Sequence, residues 1–256
     1  MISKPLALNP AQAEDIIATA RRCERLVSIA LQNRCLHTVQ ALRRFINSGR
    51  LGQVYHTRIW NGHVMHIPDT PTMRQRRLAG GGVVFHTLVH LLDAALWILG
   101  NSSPQRVSGA SYRKLPRMER TAQGPEGGQG ECDIEDFNTG LVHFENGATM
   151  SLESNWLMHP GGRSSGGEFL GDLGVASLRP LRIELEEGGD IVDVTPALPA
   201  DESVADRCGN IIHDLCQSVL EDRLPLVRFE QMLDVQRIMN GLYDAAGQGR
   251  EVEIAA

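Results

Sequence analysis

Polar side chains recur every three or four residues along an otherwise apolar stretch at residues 80 to 100. On a helical period of 3.6 residues, one face of this stretch carries His86, His90, Asp93 and Trp97, and the other faces are apolar. A helix that is apolar nearly all round is a buried helix. Because a buried polar group without a partner costs roughly 1–3 kcal/mol, these four side chains must be paired or lie beside a cavity. The stretch therefore predicts a buried helix that carries a candidate site.

The residues in front of this stretch predict two helices and two strands. Asn9 as a cap, with Pro10 next and Gln12 three residues after the cap, indicates a helix over residues 9 to 23. Further on, apolar patterning predicts a short buried strand at 26 to 30, a helix at 36 to 48 and a strand at about 53 to 61.

Behind the stretch, strand signals follow one another without helices between them. The adjacent residues Asn146 and Gly147 are a strong hairpin signal, because both accept positive φ values. Strands in a run, with helices before and after, predict an α+β fold with an open, mainly antiparallel sheet and the helices on one face. The predicted strands are 106 to 112, 134 to 144, 147 to 157, 167 to 178 and 181 to 194, and the predicted helices are about 203 to 222 and 229 to 246.

Composition indicates a globular protein with small-molecule or protein partners. The 256 residues, 42% of them hydrophobic, suffice for one large domain or two small ones. A formal net charge of -6 without a long basic run argues against nucleic-acid binding and against a polybasic membrane patch. The five cysteines are widely spaced, and residues 1 to 5 lack the layout of a signal peptide. We therefore expect a cytoplasmic protein without membrane or nucleic-acid partners.

Histidine spacing raises a metal hypothesis. His63 and His66 are three residues apart, and His86 and His90 have the i,i+4 spacing that places two rings on one helix face. A zinc hydrolase of this kind also needs a glutamate beside the first histidine, and Thr87 stands there instead. We assign no metal site and keep a metal-dependent hydrolase as a third hypothesis. No segment matches G-x-G-x-x-G or a phosphate-binding P-loop.

Several segments, taken together, resemble one family. These segments are Lys4-Pro5, Gln32-Asn33-Arg34, Gly80-Gly81-Gly82 through His90 and Asp93, and Phe144-Glu145-Asn146-Gly147. Their order and spacing resemble those of the glucose-fructose oxidoreductase, inositol dehydrogenase and MocA family. The resemblance implies a Rossmann domain that binds NAD or NADP, followed by an α+β domain whose open sheet makes oligomer contacts. It also implies a reaction at a hydroxyl group of a sugar, a cyclitol or a related compound.

The resemblance also implies a catalytic set. Lys4 matches the lysine of the family's Glu-Lys-Pro motif, and His90 matches the catalytic histidine, which would exchange the hydroxyl proton while Lys4 polarises that oxygen. His86 stands where the family usually has an aspartate, and Ser3 replaces the glutamate of the motif. We therefore expect catalytic roles for Lys4, His86 and His90, cofactor contacts from Lys4 and Pro5, and substrate contacts from Asn33, Arg34 and Asp93.

Domain organisation follows from the same resemblance. Family members carry G-x-G-x-x-G and about five strands in front of the Lys-Pro motif, with which this chain begins. We predict that residues 1 to 32 correspond to the last helix and strand of a dinucleotide-binding domain, and that residues 33 to 256 form a substrate-binding and oligomerisation domain.

Two functional hypotheses remain open beside the metal hydrolase. The first is an oxidoreductase that acts on a sugar or polyol when a nucleotide domain is supplied, and the second is a non-catalytic binding or partner subunit that keeps the pocket and the assembly surface. His86 beside Lys4 further predicts an electropositive pocket that favours an acidic sugar or another anion. We also expect a homo-oligomer formed through the open sheet face.

Overall fold

A computed structural model of the chain describes residues 1–62, 70–100, 103–114, 132–156 and 165–254. Within these residues, six α-helices and nine strands confirm the α+β architecture. The helices are α1 Pro10–Arg22, α2 His37–Asn47, α3 Arg76–Ala79, α4 Val89–Leu99, α5 Val204–Leu220 and α6 Met232–Gln248. The strands are β1 Val54–Gly62, β2 Pro104–Tyr112, β3 Phe137–Phe144, β4 Thr149–Asn155, β5 Ser165–Gly171, β6 Gly174–Leu178, β7 Leu181–Glu187, β8 Asp190–Asp193 and β9 Val252–Glu253.

All nine strands belong to one sheet in the order β8-β7-β6-β5-β1-β4-β3-β2-β9. Strands β1 and β4 run parallel, with Gly62 opposite Asn155 at their carboxyl ends, and the other described pairs are antiparallel. The Asn146-Gly147 turn joins β3 to β4, and Gly147 has a φ of 84°. The prediction of an open, mainly antiparallel sheet is therefore confirmed, with one parallel pair at its centre.

Three of the predicted strands are divided or reduced in the structure. Residues 167 to 178 divide into β5 and β6 at residues 172–173. Residues 181 to 194 divide into β7 and β8, because Gly188 and Gly189 take φ values of 66° and 96° and turn the chain. The strand predicted at 26 to 30 is reduced to isolated bridges, Ile2 with Ile29 and Ser28 with Arg228.

The first helix begins as its sequence predicts. The Asn9 side chain accepts a hydrogen bond from the Gln12 backbone N–H at 3.0 Å, and the Gln12 side chain accepts one from Leu8 N–H at 3.1 Å. Pro10 occupies the first helical position. Its apolar side, formed by Ala13, Ile17 and Ala20, joins the same hydrophobic core as the helices that cover the sheet.

Burial alternates along the strands because the helices pack on one face of the sheet. In β1, Thr57 and Ile59 are buried against the helices, whereas Arg58 is exposed. Residues Arg76–Leu99 have the length and composition of a membrane-crossing helix, and an 18-residue window within them has a mean hydropathy of 1.7. However, 78% of this window is buried inside the protein. They form the central core segment, which carries His86 and His90.

Candidate functional site

The segment that carries His86 and His90 starts with one wide helical turn. Residues Val84–Leu88 form a π-helical turn, in which the Val89 N–H bonds to the Val84 carbonyl, and α4 continues from it. The additional residue in this turn changes the angle between positions four residues apart. The single polar face predicted from the sequence is therefore divided: His86 lines one cavity, and Asp93 and Trp97 line another.

The first cavity, called the Lys4 cavity below, has a volume of about 780 Å³. Its walls come from the N-terminal segment at residues 3–8, from α1, from residues 72–79 and from His86. Lys4 is the one cation among the described lining residues, and the exposed Asp15 is the one acid. Lys4, Pro5 and His86, three of the residues predicted from the sequence, thus lie around one space.

Lys4 makes its described hydrogen bond with the helix itself. Its Nζ donates to the main-chain carbonyl oxygen of His86 at 2.6 Å. Burial removes water from the ammonium group and lowers the pKa of Lys4 from 10.5 to about 8. An amine with such a pKa can exchange a proton near neutral pH, which is the property needed for acid–base chemistry.

Asn33 holds the same helix one turn later. Its Nδ2 donates to the main-chain carbonyl oxygen of His90 at 3.3 Å, and its Oδ1 accepts from Arg207 Nη1 at 3.1 Å. Lys4 and Asn33 therefore bind the main-chain carbonyl groups of the two histidines. For Asn33, the geometry supports a role in holding His90 in place.

Arg34 and Asp93 form a buried ion pair away from the Lys4 cavity. Arg34 Nη2 and Nε donate to the two carboxylate oxygens of Asp93 at 2.5 and 3.0 Å, and these side chains are 2% and 0% exposed. Arg34 Nη1 donates to the Leu226 carbonyl oxygen and to the side chain of Gln231. The pair lines a second cavity of about 310 Å³. Since the protein supplies acceptors to each nitrogen of Arg34, this geometry favours a structural role.

The sequence did not reveal a buried carboxylate at the start of this helix. Glu135 Oε2 accepts from Gly82 N–H at 2.8 Å, and Oε1 accepts from Val84 N–H at 3.1 Å and from the Tyr243 hydroxyl at 2.7 Å. Burial raises the pKa of Glu135, and burial together with Glu135 raises the pKa of Tyr243 well above its usual value. Tyr243 therefore stays protonated, and its hydroxyl group donates the hydrogen bond to Glu135.

The three glycines Gly80, Gly81 and Gly82 allow Glu135 and Tyr243 to pack closely against the start of the helix. A Cβ on Gly81 would lie 1.9 Å from the Tyr243 hydroxyl, and a Cβ on Gly82 would lie 2.0 Å from the Glu135 main-chain oxygen. Gly80 ends α3 with a φ of 82°, which favours glycine. In retrospect, the three glycines were the available signal that another segment packs closely against the start of the helix.

Metal chemistry can be checked only in part. Among the described residues, no group of three or more His, Cys, Asp or Glu side chains could hold a metal ion. The predicted pair His63 and His66 lies outside the described residues. The assignment of no metal site stays a prediction.

The fold and the sequence motifs agree with a comparison against known families. The family model described as the GFO/IDH/MocA C-terminal domain matches residues 39–177. This chain belongs to the GFO/IDH/MocA family. D-glucoside 3-dehydrogenase of Escherichia coli (strain K12) is 26% identical over 255 residues, which cover 99% of this chain and 72% of that relative. Four other curated relatives of this GFO/IDH/MocA protein are matched over 40% to 50% of their length.

Solved structures show the same fold. The aldose-aldose oxidoreductase from Caulobacter crescentus, complexed with glycerol, superimposes with a TM-score of 0.76 at 23% identity, covering 98% of this chain and 70% of that one. A levoglucosan dehydrogenase in complex with NADH gives a TM-score of 0.81 at 17% identity, covering 98% of this chain and 72% of that one. The GFO/IDH/MocA fold is therefore present across the described chain.

Proposed function

We propose that this chain handles the proton in an oxidoreductase that acts on a hydroxyl group of a sugar, a cyclitol or a related compound, with NAD or NADP as cofactor. The observation that carries the proposal is the half-buried Lys4 amine, which lines a cavity of about 780 Å³ and bonds to the helix segment that carries His86 and His90. The sugar oxidoreductases among the relatives support the substrate class.

The proposed roles follow from the chemistry of each side chain. A neutral His90 imidazole takes the proton of the substrate hydroxyl, and Lys4 Nζ donates a hydrogen bond to that oxygen and shares its developing charge. His86 forms the wall beside Lys4. Asn33 positions His90 through its carbonyl group, and Arg34 and Asp93 hold the adjoining turn instead of contacting substrate.

Lys4, Pro5 and His86, which line the Lys4 cavity, are the residues that would lie beside the reacting end of a nicotinamide cofactor. When bound, the nicotinamide accepts or supplies the hydride, while Lys4 and Pro5 form the adjoining wall of the cavity. No segment of the chain matches G-x-G-x-x-G, so we assign no residue of this chain to the pyrophosphate. The proposal therefore requires that a dinucleotide-binding domain complete the site.

Sugar acids are the proposed preferred substrates, and this gives a pH-dependent prediction. With a pKa of about 8, Lys4 is charged mainly below that pH, and its charged fraction falls about tenfold between pH 7 and pH 9. Affinity for D-glucuronate, measured by calorimetry, is therefore expected to fall over that range. D-Glucose is the neutral control, and Lys4→Met should remove the pH dependence. Equal affinities at the two pH values in the unaltered protein would contradict the prediction.

The open sheet face is the proposed oligomer surface. Helices cover the opposite face, and the exposed Tyr112 lies with its ring centroid 5.7 Å from that of Phe137 in an edge contact. We expect light scattering at micromolar concentration to report a dimer or larger assembly, and Tyr112→Glu to shift it towards the monomer. A monomer in the unaltered protein would contradict this surface as an interface.

The proposed location is the cytoplasm. All five cysteines are unpaired, as is usual for proteins in a reducing compartment. Labelling with a thiol reagent in intact and lysed cells would test this, since a cytoplasmic protein reacts only after lysis with a reagent that does not cross membranes.

A non-catalytic binding or partner subunit is the second candidate. The observation that favours it is the imidazole of His86 where family members usually carry a carboxylate. Such a subunit would bind sugar in the Lys4 cavity and assemble with a partner, but it would not turn substrate over.

A chimera separates the two candidates. The part of the E. coli relative that has no counterpart here would be joined in front of this chain, and reduction of NAD⁺ and NADP⁺ would be followed by absorbance with a panel of sugars and sugar acids. Turnover that depends on Lys4 and His90 supports the oxidoreductase. A folded chimera that binds both cofactor and sugar without turnover supports the binding subunit.

A further inference from the structure

The start of the helix that carries His86 has no cap of its own. Neither the π turn at Val84–Leu88 nor α4 has a side chain that accepts a hydrogen bond from its first N–H groups within the segment. Unpaired N–H groups at a helix start are costly when buried, and they form the positive end of the helix dipole. An acceptor, preferably an anion, must come from elsewhere in the fold.

Glu135 supplies this acceptor from the segment just before β3. It lies 53 residues away from Gly82, which donates to its Oε2, and its side chain also accepts from Val84 N–H. The Val83 N–H donates to the main-chain oxygen of the same residue at 3.3 Å. Three successive N–H groups at the helix start therefore bind one residue.

Asp136, the residue after Glu135, is linked to the other side of the π turn by Trp156. The Trp156 N–H donates to the Asp136 carbonyl oxygen at 2.9 Å, and its Nε1 donates to the Thr87 hydroxyl at 2.9 Å. The Trp156 ring lies 6.0 Å from the His86 ring, centroid to centroid. The Glu135-Asp136 segment thus fixes both ends of the turn whose His86 carbonyl accepts from Lys4.

We propose that Glu135 is a positioning residue: its carboxylate fixes the height and rotation of the helix start, and through the His86 carbonyl it sets where Lys4 Nζ is held in the cavity. Tyr243 supports Glu135 by donating a third hydrogen bond to the carboxylate. The catalytic meaning of this arrangement rests on the proposed function, whereas the positioning of Lys4 does not.

The test uses Glu135→Gln, which keeps the size of the side chain. Glutamine has one acceptor oxygen, and its NH₂ group would face a backbone N–H, so the helix start loses at least one partner. As the His86 carbonyl moves and water enters, the pKa of Lys4 should rise from about 8 towards 10.5. Because the chain has two lysines, Lys4 and Lys114, the Lys4 titration can be followed by NMR with labelled lysine and Lys114 as internal reference.

Asp214→Asn is the matched control. Asp214 also accepts from a backbone N–H, that of Leu226 at 2.7 Å, and from Arg223, but it does not line the Lys4 cavity. This variant should lower the unfolding midpoint without moving the Lys4 titration. If Glu135→Gln does not fold, Tyr243→Phe removes one of the three donors and should give a smaller upward shift of the same sign.

The outcomes are distinct. An upward shift of the Lys4 pKa by at least about half a unit in Glu135→Gln, absent in Asp214→Asn, supports the positioning role. An unchanged Lys4 titration in a folded Glu135→Gln or Tyr243→Phe protein overturns it. In the active chimera, Glu135→Gln should lower kcat more than it changes KM. A chimera without turnover would contradict the proposed function while leaving the NMR result to decide the role of Glu135.

Discussion

Lys4→Met is expected to lower kcat/KM of the chimeric enzyme by about 100-fold to 1,000-fold, the range for removing one donor that stabilises a developing negative charge. Methionine keeps the length and the apolar stem of lysine, but it removes the Nζ that donates to His86 and lines the cavity. Steady-state kinetics with a sugar acid at pH 7 measure the effect. Since the lost contact is with the charge that develops on the reacting oxygen, kcat should fall more than KM rises.

The control for this prediction is the other lysine of the chain. Lys114 is exposed and does not line the Lys4 cavity, so Lys114→Met should leave kcat/KM within about twofold of the unaltered protein. Lys4→Met should also retain its unfolding midpoint, because an ammonium group with a lowered pKa is not a source of stability below that pKa. Equal activity of the two variants would exclude Lys4 from the chemistry.

Local signals account for most of the elements in the fold. The Asn9 cap with Pro10 and Gln12 gave the start of α1, and Asn146-Gly147 gave the turn between β3 and β4, because each signal acts within a few residues. The pair Gly188-Gly189 also marks a turn in the sequence, but the prediction placed one strand across it, at residues 181 to 194. The parallel pairing of β1 with β4 depends on contacts far apart in the chain.

The candidate site was predicted less completely. Helical spacing places His86, His90 and Asp93 on one face only if every turn is α-helical, and the π turn has no sequence signature that spacing can detect. The contact between Glu135 and Gly82 spans 53 residues and is equally invisible to local patterns. What the sequence did indicate correctly is that the polar side chains of this buried helix require partners, as Asp93 demonstrates.

The ion pair between Arg34 and Asp93 explains why the helix tolerates a carboxylate that is fully buried. The guanidinium group donates to both oxygens of Asp93 and also ties α4 to the segment in front of α6 through Leu226 and Gln231. Such a pair can add little net stability, since both charges lose their water. Removing only one member of the pair lowers stability strongly, because the remaining charge stays buried without its partner.

Asp93→Asn is therefore expected to lower the free energy of unfolding by about 3–5 kcal/mol, measured by urea denaturation at pH 7. The double variant Arg34→Met with Asp93→Leu removes both charges and should be less destabilised than Asp93→Asn alone, which tests the pair against a simple packing effect. If Asp93 contacts substrate instead, Asp93→Asn should raise KM in the chimera with a loss of stability below about 1 kcal/mol. A large loss of stability with an unchanged KM would assign Asp93 to the structure of the helix, leaving the chemistry to the Lys4 cavity.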